Sequence, residues 1–184
     1  AAAVEVKNLY IDFGIPYIGI PVPMTARLGV QPLVVRSDMV ISSDGPGITL
    51  GIKADPVTIS PFWFKASQSK DYASTDADVF GTQLIAKVDK LTLGAYGVFY
   101  DMRTYPLNSV TYSNVDNSFK ARMFWFGGYA DGKVGPMDMK ADFVMDKGSV
   151  KSNGASSGYC DVEYQGWVGR LRLSFPVEMF EVGA

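Results

Sequence analysis

The sequence predicts an all-β protein whose strands follow one another as an antiparallel, up-and-down meander. Three observations support this prediction. Many segments alternate apolar with polar side chains. Short turns and long polar loops connect these segments alternately. Aromatic residues make up 13% of the chain, which also contains 19 glycines. Alternation with a period of two is typical of strands, and aromatic residues favour strands over helices.

Short and long connections between the predicted strands alternate along the chain. The short ones are predicted at residues 55–56, 89–90, 131–133 and 176–178, and the long ones at residues 31–46, 67–76, 101–117 and 147–157. All the long loops would then lie at one end of the sheet, which is the asymmetry of bacterial outer-membrane barrels. The sequence therefore predicts a transmembrane β-barrel.

The first six strands follow from the alternation in chain order. Part of a strand is predicted at residues 5–13, and further strands at 24–31, 48–53, 57–66, 80–88 and 91–100. In most of them aliphatic or aromatic residues occupy one face, and Thr, Gly, Gln or Lys occupy the other. The segment 57–66 is ambiguous, because Phe62, Trp63 and Phe64 in succession place bulk on both faces.

The clearest hairpin joins residues 118–130 to residues 137–146. A turn at residues 131–133 would place Arg122 across from Asp142 on one face. Either strand is long enough to cross a bilayer, which needs roughly 9–11 tilted residues. The side chains predicted to face lipid are Met123, Trp125, Met137, Met139 and Phe143.

The polar faces of the strands are predicted to line a water-filled lumen. The candidate pore-lining residues are Arg27, Lys53, Lys87, Lys120, Arg122, Asp138, Lys140, Asp142, Arg170 and Arg172. Two alternatives stay open: a soluble β-barrel or sandwich that binds a ligand inside, and a structural barrel without a channel. The pore is favoured because the opposite faces carry Met, Phe, Trp and Leu, which would otherwise contact water. An excess of Lys and Arg among the candidates predicts a preference for anions.

Composition excludes several other functions. The chain has no histidine, so Ser-His and Cys-His nucleophile pairs and His-containing zinc sites are excluded, and we expect no enzyme and no cofactor. A net charge of −2 argues against nucleic acid as a partner. The single cysteine, Cys160, cannot form an internal disulfide.

Three acidic residues are close enough in sequence to raise the question of a calcium loop: Asp71, Asp76 and Asp78. Their spacing lacks the regular oxygen ligands and the central glycine of known calcium loops. A solvated acidic surface loop is the alternative interpretation, and no metal site is predicted.

Four segments together resemble one known family of proteins. They are Asn8–Pro16, the strand with Arg27, Gly29–Pro32 and Asp44–Gly47, and in strand and turn style they resemble the general porin-type barrels of Gram-negative bacteria. The resemblance extends over most of the chain. It implies an outer-membrane pore in contact with the lipid bilayer, often a homo-trimer, with one loop folded into the lumen and small hydrophilic solutes or ions passing through.

The predicted number of strands does not match that of a closed barrel. About nine complete strands and the start of a tenth are predicted, whereas bacterial barrels normally have an even number. The family's terminal aromatic residue is also not matched cleanly, since nine residues follow Phe175. We therefore expect residues 1–184 to be a single barrel domain that is truncated at both ends.

Overall fold

The fold is a single antiparallel sheet without helices among the residues that are described. The computed structural model describes residues 7–16, 19, 21–36, 39–67, 77–102, 119–152, 161–177 and 180–183. The strands are β1 (Leu9–Ile15), β2 (Met24–Val35), β3 (Ile41–Ala54), β4 (Val57–Ser67), β5 (Ala77–Val88), β6 (Leu91–Met102), β7 (Phe119–Val134), β8 (Met137–Ser152), β9 (Val162–Val177) and β10 (Phe180–Gly183). No helix in this part of the chain is long and apolar enough to span a membrane.

The ten strands pair in chain order, each with the next. This confirms the all-β, up-and-down arrangement. The sheet is not closed, because among the described residues no pairing joins β1 to the other end of the sheet. The sequence prediction of a barrel is thus met at the coarser level of an antiparallel meander.

The register gives the sheet two faces of different character. A buried cluster on the inner face contains Phe62, Phe64, Val79, Tyr96, Val98 and Val144, together with Leu33 and Val35. Its members come from the far part of the β2–β3 hairpin and from strands β4, β5, β6 and β8, so the hairpin lies against this face. We call it the inner face and the opposite one the outer face.

The turn between β7 and β8 corrects the predicted register. β7 continues through residues 131–133 to Val134, which pairs with Met137 across a turn at Gly135 and Pro136. Gly135 has φ of +62°, a left-handed conformation that glycine adopts readily. Moving the turn changes which residues of β7 lie opposite those of β8, and one residue of slip reverses a strand's faces.

The reversal makes part of the predicted site wrong. Lys120 and Arg122 share the outer face with Phe124 and Phe126, and Arg122 pairs with Ser149 instead of Asp142. The partner of Asp142 on β7 is Tyr129. The predicted lipid-facing residues Met123 and Trp125 lie on the inner face, where Trp125 packs against the buried cluster.

The connection predicted as a long loop at residues 31–46 is mostly strand. β2 runs to Val35 and β3 starts at Ile41, and these two residues pair. Of the other predicted long loops, residues 101–102 belong to β6 and residues 147–152 to β8, while 68–76, 103–118 and 153–160 lie outside the described residues. The short turns at 55–56 and 89–90 are confirmed.

Candidate functional site

Large apolar side chains cover the outer face and are open to solvent. Between 37% and 74% of each is exposed, where burial inside a soluble protein would leave only a few per cent. They are Leu9, Ile11, Phe13, Leu28, Ile48, Phe80, Leu84, Val88, Leu93, Phe124, Phe126, Phe143, Trp167, Leu171 and Phe175. Met137 and Met139 lie on the same face, partly exposed. An apolar surface of this extent marks an interaction with lipid or protein.

Charged residues of the outer face are confined to one end of the sheet. They are Lys65, Asp78, Asp101, Lys120, Arg122, Lys147, Lys151 and Glu163, all close to the ends of strands that lead into the long connections. Arg122 Nε donates a hydrogen bond to Asp101 Oδ1 at 3.2 Å. The rest of the described outer face carries no charge, so a charged rim adjoins an apolar band.

A row of aromatic rings lies where the band meets the rim. Phe99 stacks against Phe80 and Phe124, with ring centroids 6.4 and 4.5 Å away. In the same row, Trp63 Nε1 donates a hydrogen bond to Asp78 Oδ1 at 3.1 Å. Tryptophan with an apolar body and a hydrogen-bonded tip suits the boundary between hydrocarbon and water.

Asp78 is also one of the three aspartates considered above as a calcium loop. Asp78 accepts the hydrogen bond of Trp63, whereas Asp71 and Asp76 lie outside the described residues. Within the described part of the chain, no group of three acidic or cysteine side chains is placed to hold a metal ion.

Most of the predicted pore-lining residues share the inner face. Arg27, Lys53, Lys87, Asp138, Lys140, Asp142, Arg170 and Arg172 all have this orientation by register. Arg27 donates two hydrogen bonds to Asp12, at 2.7 and 2.8 Å, and stacks over the ring of Tyr10 at 4.1 Å. Their placement on one face agrees with the prediction, and their role in a pore stays a prediction.

Arg36 is the functional candidate that the sequence did not identify. It follows β2, in the turn that leads to β3, and its guanidinium donates two hydrogen bonds of 2.7 Å to the carboxylate of Asp131 on β7. Its Nε donates to Asp142 Oδ1 on β8. The guanidinium also lies 3.9 Å from the centroid of the Tyr129 ring. Nothing in a lone arginine within a predicted loop indicates a partner about a hundred residues away.

Asp142 is shared between two arginines. Its side chain is completely buried, and its Oδ2 accepts hydrogen bonds from Arg170 Nε and Nη2 at 3.0 and 2.8 Å. Charge-assisted hydrogen bonds of this kind satisfy a buried carboxylate that would otherwise be costly. The carboxylate therefore ties the turn after β2 to strands β8 and β9.

The ring of Tyr129 lies directly over a glycine of the neighbouring strand β6. Gly94 pairs with Tyr129, and a Cβ at Gly94 would lie 2.1 Å from the tyrosine ring. Gly94→Val is therefore expected to displace the ring from Arg36 and to lower the free energy of unfolding by about 1–3 kcal/mol, the usual range for overpacking. Gly97→Val is the matched control, because a Cβ at Gly97 meets nothing within 4 Å. Equal denaturation midpoints for the two variants would contradict this interpretation.

A polar cavity lies on the inner face beside the base of the β2–β3 hairpin. It has a volume of about 450 Å³ and is lined by Thr25, Arg27, Gln31, Thr49 and Ser60 among others. Gln31 is buried, and its Nε2 donates to Gly47 O at 3.0 Å while its Oε1 accepts from Thr49 Oγ1 at 3.2 Å. The wall of this cavity offers hydroxyl and guanidinium groups, which suit water and small polar solutes.

Comparison with known proteins adds no family to these observations. No protein-family model matches the chain, and no curated protein is significantly similar to it.

Proposed function

We propose that the protein is an outer-membrane channel of a Gram-negative bacterium, through which small hydrophilic solutes or ions diffuse passively. The observation that carries the proposal is the polarity of the two faces. The outer face exposes an apolar band bounded by aromatic rings and a charged rim, while the inner face carries most of the charged residues of the strands. Transmembrane barrels have this arrangement, with apolar side chains outward and polar ones toward the lumen.

A soluble ligand-binding barrel is disfavoured by the same observation. Such a barrel is apolar inside and polar outside. Here residues such as Phe126 and Leu171 are 45% and 60% exposed on the outer face. We expect the purified protein to need detergent or lipid to stay monodisperse, and a monodisperse sample in plain buffer would support the soluble alternative.

Anion preference is the second part of the proposal. Among the residues whose side chains are described, those on the inner face and on the β2–β3 hairpin beside it include both signs of charge. The basic ones are Arg27, Arg36, Lys53, Lys87, Lys133, Lys140, Arg170 and Arg172, and the acidic ones are Asp12, Asp44, Asp131, Asp138, Asp142 and Asp146. Although Lys120 and Arg122 leave the predicted set, the balance stays positive. A positive surface next to a low-dielectric wall attracts anions.

Reversal potentials across a planar bilayer test this preference directly. Under a potassium chloride gradient we expect the sign that corresponds to anion permeation, and a preference that weakens as salt rises. The reason is the Debye length, which falls from roughly 30 Å at 0.01 M to about 3 Å at 1 M. A cation preference would contradict the charge assignment, and the absence of any conductance would contradict the channel.

A structural barrel without a channel is the second candidate. It is favoured by the buried cluster, since Val35, Phe64 and Val98 fill part of the inner side with apolar groups. Such a protein would need detergent but would give no conductance, so the bilayer measurement separates the two functions. A homo-trimer, which the resemblance implies, stays a prediction that light scattering in detergent would test.

A further inference from the structure

Among the described residues, no other strand pairs with the far part of the β2–β3 hairpin. The pairing of β1 with β2 ends at Val30, and the pairing of β3 with β4 ends at Gly47. Residues 31–36 and 39–46 therefore form a two-stranded ribbon whose described pairings are all within itself, as in Val35 with Ile41. An isolated hairpin is at best marginally stable in water, so contacts outside its own ladder must hold this one in place. We call residues 31–36 and 39–46 the inward ribbon.

The inward ribbon lies against the inner face. Val35 is completely buried and Leu33 is 6% exposed, both in the cluster with residues of β4, β5, β6 and β8. Gln83 Nε2 on β5 donates a hydrogen bond to Val34 O at 3.0 Å. At the far end, Arg36 contacts Asp131 and Asp142. The ribbon thus crosses the inner face from its own strands to β7 and β8.

Two glycines mark the base of the ribbon. Gly29 and Gly47 pair with each other where the ribbon leaves the sheet. A Cβ at Gly29 would lie 2.3 Å from Leu9 O, and one at Gly47 would lie 2.4 Å from Trp63 O, so neither position accepts a side chain without a backbone shift. Gly29 also has φ of +128°, which residues with a Cβ rarely adopt. This pair is the point about which the ribbon turns inward.

We propose that the inward ribbon is a plug that Arg36 latches across the lumen, and that loss of the Arg36 ion pairs lets the ribbon leave the inner face. The pairing of residues 31–35 with residues 41–45 would survive this movement, because both strands of the ribbon move together. Only side-chain contacts with the inner face would be broken. The widening of a passage that follows rests on the proposed channel function, whereas undocking of the ribbon does not.

Undocking of the ribbon and conduction through the channel are measured separately, the first by thiol labelling and the second by single-channel recording. Val35→Cys, in a Cys160→Ser background, places one thiol where the docked ribbon buries it. With Arg36→Ala added, we expect a water-soluble maleimide to label Cys at that position about tenfold faster or more, the change in equilibrium that loss of a charged hydrogen bond brings. Single-channel conductance of Arg36→Ala is expected to rise above that of the parent.

Further variants keep the test clear if Arg36→Ala folds poorly. Arg36→Lys keeps the positive charge but loses the bidentate hydrogen bonds to Asp131, so an intermediate labelling rate is expected. Asp131→Asn weakens the latch from the β7 side without altering the ribbon. The matched control is Arg122→Ala, which removes a guanidinium-carboxylate pair on the outer face, and it is expected to leave labelling and conductance unchanged.

Each result has a defined meaning. Unchanged labelling in the Arg36 and Asp131 variants would overturn the latch. Faster labelling with equal conductance in parent and variant would show that the ribbon is not in the path, and would overturn the plug. Faster labelling with no current from any variant would uphold the latch and contradict the channel.

Discussion

Phe143→Arg is expected to lower the free energy of unfolding in a bilayer by about 2–4 kcal/mol, the cost of arginine on the lipid face near the midplane. Phe143 lies on the outer face near the middle of β8 and is 48% exposed. Its ring stacks against Trp167 with centroids 6.3 Å apart. Its register partners on β7 and β9 are Gly128 and Gly169, so no carboxylate lies directly opposite an arginine at this position. Urea titration of the protein folded in lipid vesicles measures the change.

The control for this variant keeps the site apolar. Phe143→Leu removes the ring stacking with Trp167, which is worth about 0.5–1.5 kcal/mol, and it introduces no charge. If lipid covers the outer face, the arginine variant must be the less stable of the two. An arginine variant that is as stable as the leucine variant, or better behaved in detergent-free buffer, would contradict a lipid-facing band.

Strand faces were predictable where a single alternation ran between clear turn signals. The outer positions Met24, Leu28, Phe80 and Leu93 follow directly from the period of two, and the register confirms them. β7 was assigned the wrong face because apolar residues sit on both sides of it, with Phe124 outward and Trp125 packed against the inner cluster. When the inner face is partly packed with ring systems, alternation of polarity no longer distinguishes the two sides.

The candidate site was predictable only as a set of charges. Alternation located Asp142 and Arg170 on the inner face, and the register agrees with that orientation. It did not identify them as partners, since the predicted partner of Asp142 was Arg122. It gave no information on Arg36, because a contact across the inner face depends on how the inward ribbon bends and not on local pattern. The usable signal was the Gly45-Pro46-Gly47 sequence opposite Gly29, which breaks the alternation where the ribbon leaves the sheet.

Asp142→Ala is expected to be the most destabilising change on the inner face. It would leave the guanidinium groups of Arg36 and Arg170 facing each other without the buried carboxylate that separates them. Removing one partner from a buried ion pair costs about 3–5 kcal/mol. Because Arg170 is 39% exposed at its side chain, and Arg36 retains Asp131, we expect a loss near the lower end, about 3 kcal/mol.

A second aspartate of the same strand isolates the effect of burial. Asp138 pairs with Lys133 at 3.6 Å, but half or more of each side chain is exposed. Asp138→Ala is therefore expected to cost about 0–1 kcal/mol, as for other solvated pairs. Both substitutions remove one negative charge from the inner face, so net charge cannot explain a difference between them. Equal unfolding free energies for the two variants would mean that Asp142 does not hold the inward ribbon and the β8–β9 pair together.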